Sequence, residues 1–131
     1  MADPEYVLDH VGIPVSDVAA ARAFYERALG PLGFSVVMEV AGGTVVALGL
    51  PRAPQVWLSE TERGAPVHLA FHATDRARVD AFHEAALAAG GRDNGPPGVR
   101  AHYHPSYYAA YVLDADGNNV EAVCHAPPAD G

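Results

Sequence analysis

Three side chains in this sequence, His10, His68 and Glu121, have the types and the setting to share a divalent metal ion. The two histidines occupy one place in an internal repeat. Shifting the chain by 58 positions lays residues 10–33 on 68–91, and nine of the 24 gapless pairs are identical, where chance would give roughly two. The identities include His10/His68, Asp17/Asp75, Phe24/Phe82, Glu26/Glu84 and Gly33/Gly91. If the halves pack about a pseudo-twofold axis, the equivalent strands lie near each other and both imidazoles can converge on one point. A metal there needs an anionic partner to offset its charge. Glu121 is the candidate, because it sits between Val120 and Ala122, where an unpaired carboxylate would cost on the order of several kcal/mol to bury.

The elements that must hold these residues follow from hydrophobic period and capping. Residues 6–15 read as a strand with Val7, Val11, Ile13 and Val15 on one face and Leu8, His10, Gly12 and Pro14 on the other. In the second copy Val67, Leu69 and Phe71 oppose His68, Ala70 and His72. Gly12 and Ala70, two residues beyond each histidine, leave space above the imidazoles. Ser16-Asp17 and Thr74-Asp75 then cap two helices, over 18–29 with Val18, Ala21, Tyr25 and Ala28 inward, and over 76–89 with Val79, Phe82, Ala86 and Leu87 inward. His83 falls where the first helix has Tyr25 and reads as helix-surface packing. Gly90-Gly91 ends the second helix.

Three strands are expected after each helix. In the first half they cover 34–40, 44–50 and 55–60, joined by Gly42-Gly43 and a loop over 51–54. In the second half the loop Gly95-Pro96-Pro97-Gly98 precedes strands over 99–103, 107–113 and 119–125, the last two joined by Asp114-Ala115-Asp116-Gly117-Asn118. The expectation is an α+β chain of two βαβββ modules in a single domain over 1–131, module one spanning about 6–60 and module two about 67–125, with a polar tail over 126–131.

Composition narrows the partners. Sixteen acidic against eight basic residues give a net charge of -8, which repels nucleic acid and anionic membranes. No apolar run approaches a membrane span, and the N-terminus lacks the regions of a signal peptide, so a cytoplasmic location is expected. A single cysteine, Cys124, reads as a small buried residue.

The chain resembles the vicinal oxygen chelate superfamily, which comprises glyoxalase I, bleomycin resistance proteins, fosfomycin-inactivating thiol transferases and extradiol dioxygenases. The resemblance covers residues 6–125. It rests on Leu8-Asp9-His10-Val11-Gly12-Ile13, Ala23-Phe24-Tyr25-Glu26-Arg27-Ala28-Leu29-Gly30, Val67-His68-Leu69-Ala70-Phe71, and the run from Asp114 to Glu121. It implies paired βαβββ modules forming an open β-cup, a divalent metal on its floor and a homodimer. His10 and His68 match the family's histidine ligands and Glu121 its final carboxylate. The fourth ligand position, a carboxylate or amide in glyoxalase I, falls on Trp57, which disfavours glyoxalase I itself. The extradiol signature resembles His102, Tyr111, Asp114, Gly117 and Glu121 in spacing, with departures at Arg100, Ala110 and Ala115. By that resemblance Tyr111 and His102 line the substrate pocket, with His104 as an alternative to His102.

The expectation is therefore a metal-dependent enzyme. Fe, Mn, Zn or Ni held by His10, His68 and Glu121 would chelate two neighbouring oxygens of a small-molecule substrate, in lyase, isomerase or dioxygenase chemistry. Tyr111 and His102 or His104 would orient the substrate or move protons. The alternative is a drug-sequestering binding protein of the bleomycin resistance kind; thiol transfer to fosfomycin is weakened because the chain ends soon after Glu121.

Overall fold

The structure, a computed structural model, describes residues 8–61 and 64–128. Two βαβββ units follow one another. In the first, β1 (Val11–Val15) leads through α1 (Val18–Leu29) and a short 3-10 turn (Gly30–Leu32) to β2 (Ser35–Val40), β3 (Val45–Leu50) and β4 (Ala53–Glu60). In the second, β5 (His68–His72) leads through α2 (Arg76–Ala88) to β6 (Arg92–Val99), β7 (Tyr108–Leu113) and β8 (Asn119–Cys124). Each unit closes its own four-stranded sheet, in the orders β1-β4-β3-β2 and β5-β8-β7-β6. First and last strands of each unit pair in parallel, and the other pairs are antiparallel.

Local chemistry sets the helix bounds. Asp17 and Asp75 precede the helices in extended backbone and accept the N–H three residues on, from Ala20 at 3.1 Å and Arg78 at 2.8 Å. Each such cap contributes about 1 kcal/mol. Phe24, Tyr25, Ala28 and Leu29 of α1 and Val79, Phe82 and Ala86 of α2 pack into one core with Ile13, Leu48, Leu58, Val112 and Val120 of the two sheets. Leu87, expected inward, is instead exposed. The buried stripe of α2 advances from Val79 to Phe82 and Ala86, and Leu87 falls at its margin. His83 packs at the helix surface as expected, its Nε2 2.9 Å from Asp93 Oδ1.

The repeats are joined through the turn between β7 and β8. Asp114 is buried there and accepts from the Tyr25 hydroxyl of α1, from the backbone N–H of Asp116 and Asn118, and from Asn118 Nδ2. The Asp116 carboxylate accepts the Ser16 N–H just before α1. Both repeats thus depend on one set of buried carboxylate bonds.

Three strand expectations need correction. Among the described residues β1 begins at Val11, so His10 precedes the strand; residues 6 and 7 lie outside the described residues. The expected loop over 51–54 contracts to a turn at Pro51 and Arg52, because Arg52 takes a left-handed conformation (φ 64°) and β4 resumes at Ala53. The Gly95-Pro96-Pro97-Gly98 segment is not a loop: it lies inside β6, which ends at Val99, and no separate strand follows over 100–103. β6 is an edge strand whose register shifts at Gly95 and again at Gly98. Prolines are tolerated at such an edge, where a missing N–H removes no bond from the ladder. Residues 100–107 instead form a turn closed by Arg100 N–H on Tyr107 O at 2.7 Å. No helix among the described residues is long and apolar enough to cross a membrane.

Candidate functional site

The helices cover one face of each sheet. On the other face of the second sheet, period two aligns His68, Ala70 and His72 of β5, Glu121 and Val123 of β8, and Ala109 and Tyr111 of β7. Glu121 stands at the centre, in register with Ala70 on one side and Tyr111 on the other. It is 1% exposed. Both of its oxygens are engaged: Oε1 lies 2.8 Å from His68 Nε2, and Oε2 accepts the Tyr107 hydroxyl at 2.5 Å. A carboxylate only accepts, so His68 donates through Nε2. Charge-assisted bonds of this kind offset the desolvation of a buried anion.

The tyrosines around Glu121 are held protonated. Burial pushes the Tyr107 hydroxyl well above the usual phenol range, and its bond to Glu121 and that group's charge push it further. Burial and then the Glu121 charge raise Tyr111 as well. At neutral pH both are O–H donors, not phenolate bases. The Tyr111 ring lies 6.3 Å from that of His68, which leaves this donor beside the histidine–carboxylate pair.

Two donors of the expected metal set therefore fit one another. A nitrogen and an oxygen 2.8 Å apart on neighbouring strands have the separation that two ligands keep around one ion at bond lengths of about 2 Å. His10 is not brought to them within one chain. It is exposed just before β1, its Nδ1 2.6 Å from Asp9 Oδ1 and its ring edge-on to Trp57 at 6.3 Å. Among the described residues no three His, Cys, Asp or Glu side chains gather closely enough to hold a metal. Strand register settles the equivalence of Trp57: Gly12 pairs with Trp57 in module one as Ala70 pairs with Glu121 in module two. Beside the first histidine the repeat carries an indole, and beside the second a carboxylate.

His102 and His104 sit on the turn over 100–107, where neither is bonded to His68 or Glu121, although His104 packs against Tyr107 with ring centroids 5.5 Å apart. His102 is exposed and packs on Tyr103, ring centroids 4.2 Å apart. His104 turns to His125: its Nδ1 accepts the Ser106 N–H at 3.1 Å, so its Nε2 donates to His125 Nδ1 at 2.9 Å. Of the three pocket residues expected, only Tyr111 borders the pair. Tyr107 reads in the sequence as cross-strand packing, whereas its hydroxyl is bonded to Glu121; the period of two that aligns it with Ala109 and Tyr111 is the signal that points to the site face. Cavities among the described residues have other linings. One of about 140 Å³ is bounded by Tyr25, Asp114 and Asp116 between the repeats, and one of about 430 Å³ by Gly33, His72 and Arg78. The His68–Glu121 pair opens on a sheet face.

Comparison with known proteins follows the same outline. Residues 7–122 match the sequence model of the glyoxalase/bleomycin resistance protein/dioxygenase superfamily. A glyoxalase/bleomycin resistance protein from Albidiferax ferrireducens T118 is 32% identical, with a TM-score of 0.74 over 88% of this chain and 97% of that one. Two further structures share the fold. A glyoxalase/bleomycin resistance protein/dioxygenase family enzyme from Burkholderia phytofirmans PsJN has 21% identity and a TM-score of 0.71 over 91% and 98% of the two chains. A lactoylglutathione lyase from Agrobacterium tumefaciens has 21% identity and a TM-score of 0.68 over 93% and 96%. No curated protein matches the sequence.

Proposed function

Because this chain belongs to the glyoxalase/bleomycin resistance protein/dioxygenase superfamily, we propose that it is a divalent-metal-dependent enzyme acting on a small substrate that presents two adjacent oxygens. The observation that carries this reading is the His68–Glu121 pair, with Glu121 almost wholly buried yet bonded on both oxygens by groups of the open sheet face. A buried carboxylate paired with a histidine on an otherwise bare sheet face is the kind of setting in which functional groups gather. His68 and Glu121 would hold the ion, and His10 would complete the set from a second copy of the chain. β1 and β5 lie at outer edges of their sheets and carry or adjoin the exposed histidines, which suits a homodimer that sets one against the other.

When bound, the ion would supply Lewis acidity toward the substrate oxygens. The chain's own groups do the rest. Tyr107 fixes the rotamer of Glu121 through Oε2, leaving Oε1 for the site. Tyr111, held as an O–H donor, is set to hydrogen-bond a substrate oxygen as it gains negative charge. His102 packs on Tyr103 and His104 is bonded to His125 and Ser106, so the donors next to the pair are the phenols of Tyr107 and Tyr111. That favours lyase or isomerase chemistry, in which an enolate oxygen is stabilised, over ring opening with a histidine acid.

Metal analysis tests the reading. Protein purified without chelator is expected to hold divalent metal in stoichiometric amount, and His68→Ala and Glu121→Ala to lose it while keeping their fold by circular dichroism. Wild type that takes up no metal from solution would overturn the enzyme reading in favour of drug sequestration.

A further inference from the structure

β6 presents no side chain where its register meets the open face. Gly95 pairs with Tyr111 and Gly98 with Ala109, and both partners stand on the face that carries Glu121. A Cβ built on Gly95 would lie 2.8 Å from Tyr111 Cδ1 and 3.1 Å from Arg100 Nη2, and one on Gly98 would lie 3.1 Å from Arg100 Nη1. The space left by the two glycines is therefore taken by the Arg100 guanidinium, with the Tyr111 ring beside it at Gly95. Arg100 folds back from the turn after β6, donates from Nη1 to Gly98 O and from Nη2 to Pro96 O, both at 2.8 Å, and lies over the Tyr111 ring with Cζ 5.3 Å from its centroid.

This arrangement gives the cation a fixed place and leaves its charge unanswered. Among the described residues no carboxylate lies within ion-pair distance of Arg100. Two of its five N–H donors are taken by carbonyls, and the others remain for a ligand. In a chain of net charge -8, a guanidinium held by two carbonyls on the bare side of a sheet is a fixed positive group. A planar fork pre-organised in this way suits a carboxylate, which it meets with two parallel bonds.

Resting on the site proposed above, we infer that Arg100 is a specificity-determining residue that anchors a distal carboxylate of the substrate. Strand order sets Tyr111 of β7 between β6, whose glycines Arg100 overlies, and β8 with Glu121, and its ring neighbours both Arg100 and His68. The substrate class is then an acid with vicinal oxygens at one end and a second carboxylate at the other. The Gly-Pro-Pro-Gly segment clears the room this anchor occupies, and its proline and glycine carbonyls hold the anchor in place.

Calorimetric titration of the manganese-loaded protein tests this with matched probes: 2-oxoglutarate and 2-oxoadipate against 2-oxopentanoate and 2-oxohexanoate, which lack the distal carboxylate. Wild type is expected to prefer at least one diacid by about 10-fold or more over its monoacid. Arg100→Gln should abolish that preference with monoacid affinity unchanged, and Arg100→Lys should retain part of it. The selectivity ratio separates anchoring from packing, because a merely structural loss would weaken all four ligands alike. Equal binding of diacid and monoacid by wild type, or a preference that survives in Arg100→Gln, would overturn the assignment. Failure of manganese itself to bind in the preceding titration would overturn the site and the anchor together, and is read separately.

Discussion

The Tyr25 hydroxyl of the first repeat donates to Asp114 Oδ2 of the second at 2.5 Å, across 89 positions of sequence and in a buried setting. Burial first, then the charge of Asp114, raises the Tyr25 hydroxyl far above the ordinary phenol range. The folded chain therefore binds this proton more tightly than the unfolded chain. Its contribution is fully present below about pH 10, where an unfolded tyrosine ionises, and is lost as pH rises further. Tyr25→Phe should cost about 1.5–3 kcal/mol at pH 7, as expected for a hydrogen bond to a charged group. Urea unfolding at pH 7 and above pH 10 should show a shallower alkaline loss in the variant; parallel losses would contradict the assignment.

Tyr107 acts on the candidate ligand Glu121 from behind. Tyr107→Phe should weaken metal binding by about 10- to 100-fold, the usual effect of removing a group that orients a ligand. Tyr108→Phe is the control. Its hydroxyl, pushed up to about 12 by burial and by its bond to Asp80, lies on the helix side of the same sheet, and its loss should leave metal affinity unchanged in a competition assay.

Chains carrying different lesions should complement each other. His10→Ala and His68→Ala, each unable to build a full ligand set as a homodimer, are expected to form one intact set when co-expressed and purified as a mixed pair. Metal content should then approach one ion per dimer. A mixed dimer as metal-poor as either parent would show that the ligands are not shared between chains.

Two glycines should respond in opposite ways. A Cβ on Gly49 would lie 2.2 Å from Ala53 O, in the β3–β4 register shift, whereas one on Gly12 meets nothing within 4 Å. Gly49→Ala should destabilise the fold by roughly 1–3 kcal/mol, and Gly12→Ala should stay within about 0.5 kcal/mol of wild type. Thermal melts of the two variants, compared side by side, check the contrast.

Much of this was legible because the repeat carried it. Asp17 and Asp75 mark the helix starts by capping chemistry that depends on neighbours alone, and the bounds of α1 fall where the pattern puts them. The β6 segment was illegible for a different reason. Whether Gly-Pro-Pro-Gly is loop or edge strand depends on which side of the sheet is free, and that is a property of the assembled fold. The same holds at the site. Glu121 could be named from the oddity of a carboxylate in an apolar strand, but its bond to Tyr107 and the placing of Arg100 over Gly95 and Gly98 follow from a turn whose path the local sequence does not dictate. Trp57 was aligned with Glu121 by a sequence match, and the paired registers of Gly12 and Ala70 make that equivalence structural.

Among the described residues no strand crosses from one sheet to the other. The pairings there are made inside residues 11–60 or inside residues 68–124, so no loop longer than one repeat is closed to complete either sheet. Loop-closure entropy is paid twice over short distances instead of once over a long one. What joins the two separately closed sheets is one shared core between the helices and the Tyr25–Asp114 bond, so the halves are independent in their strand pairing and dependent in their packing.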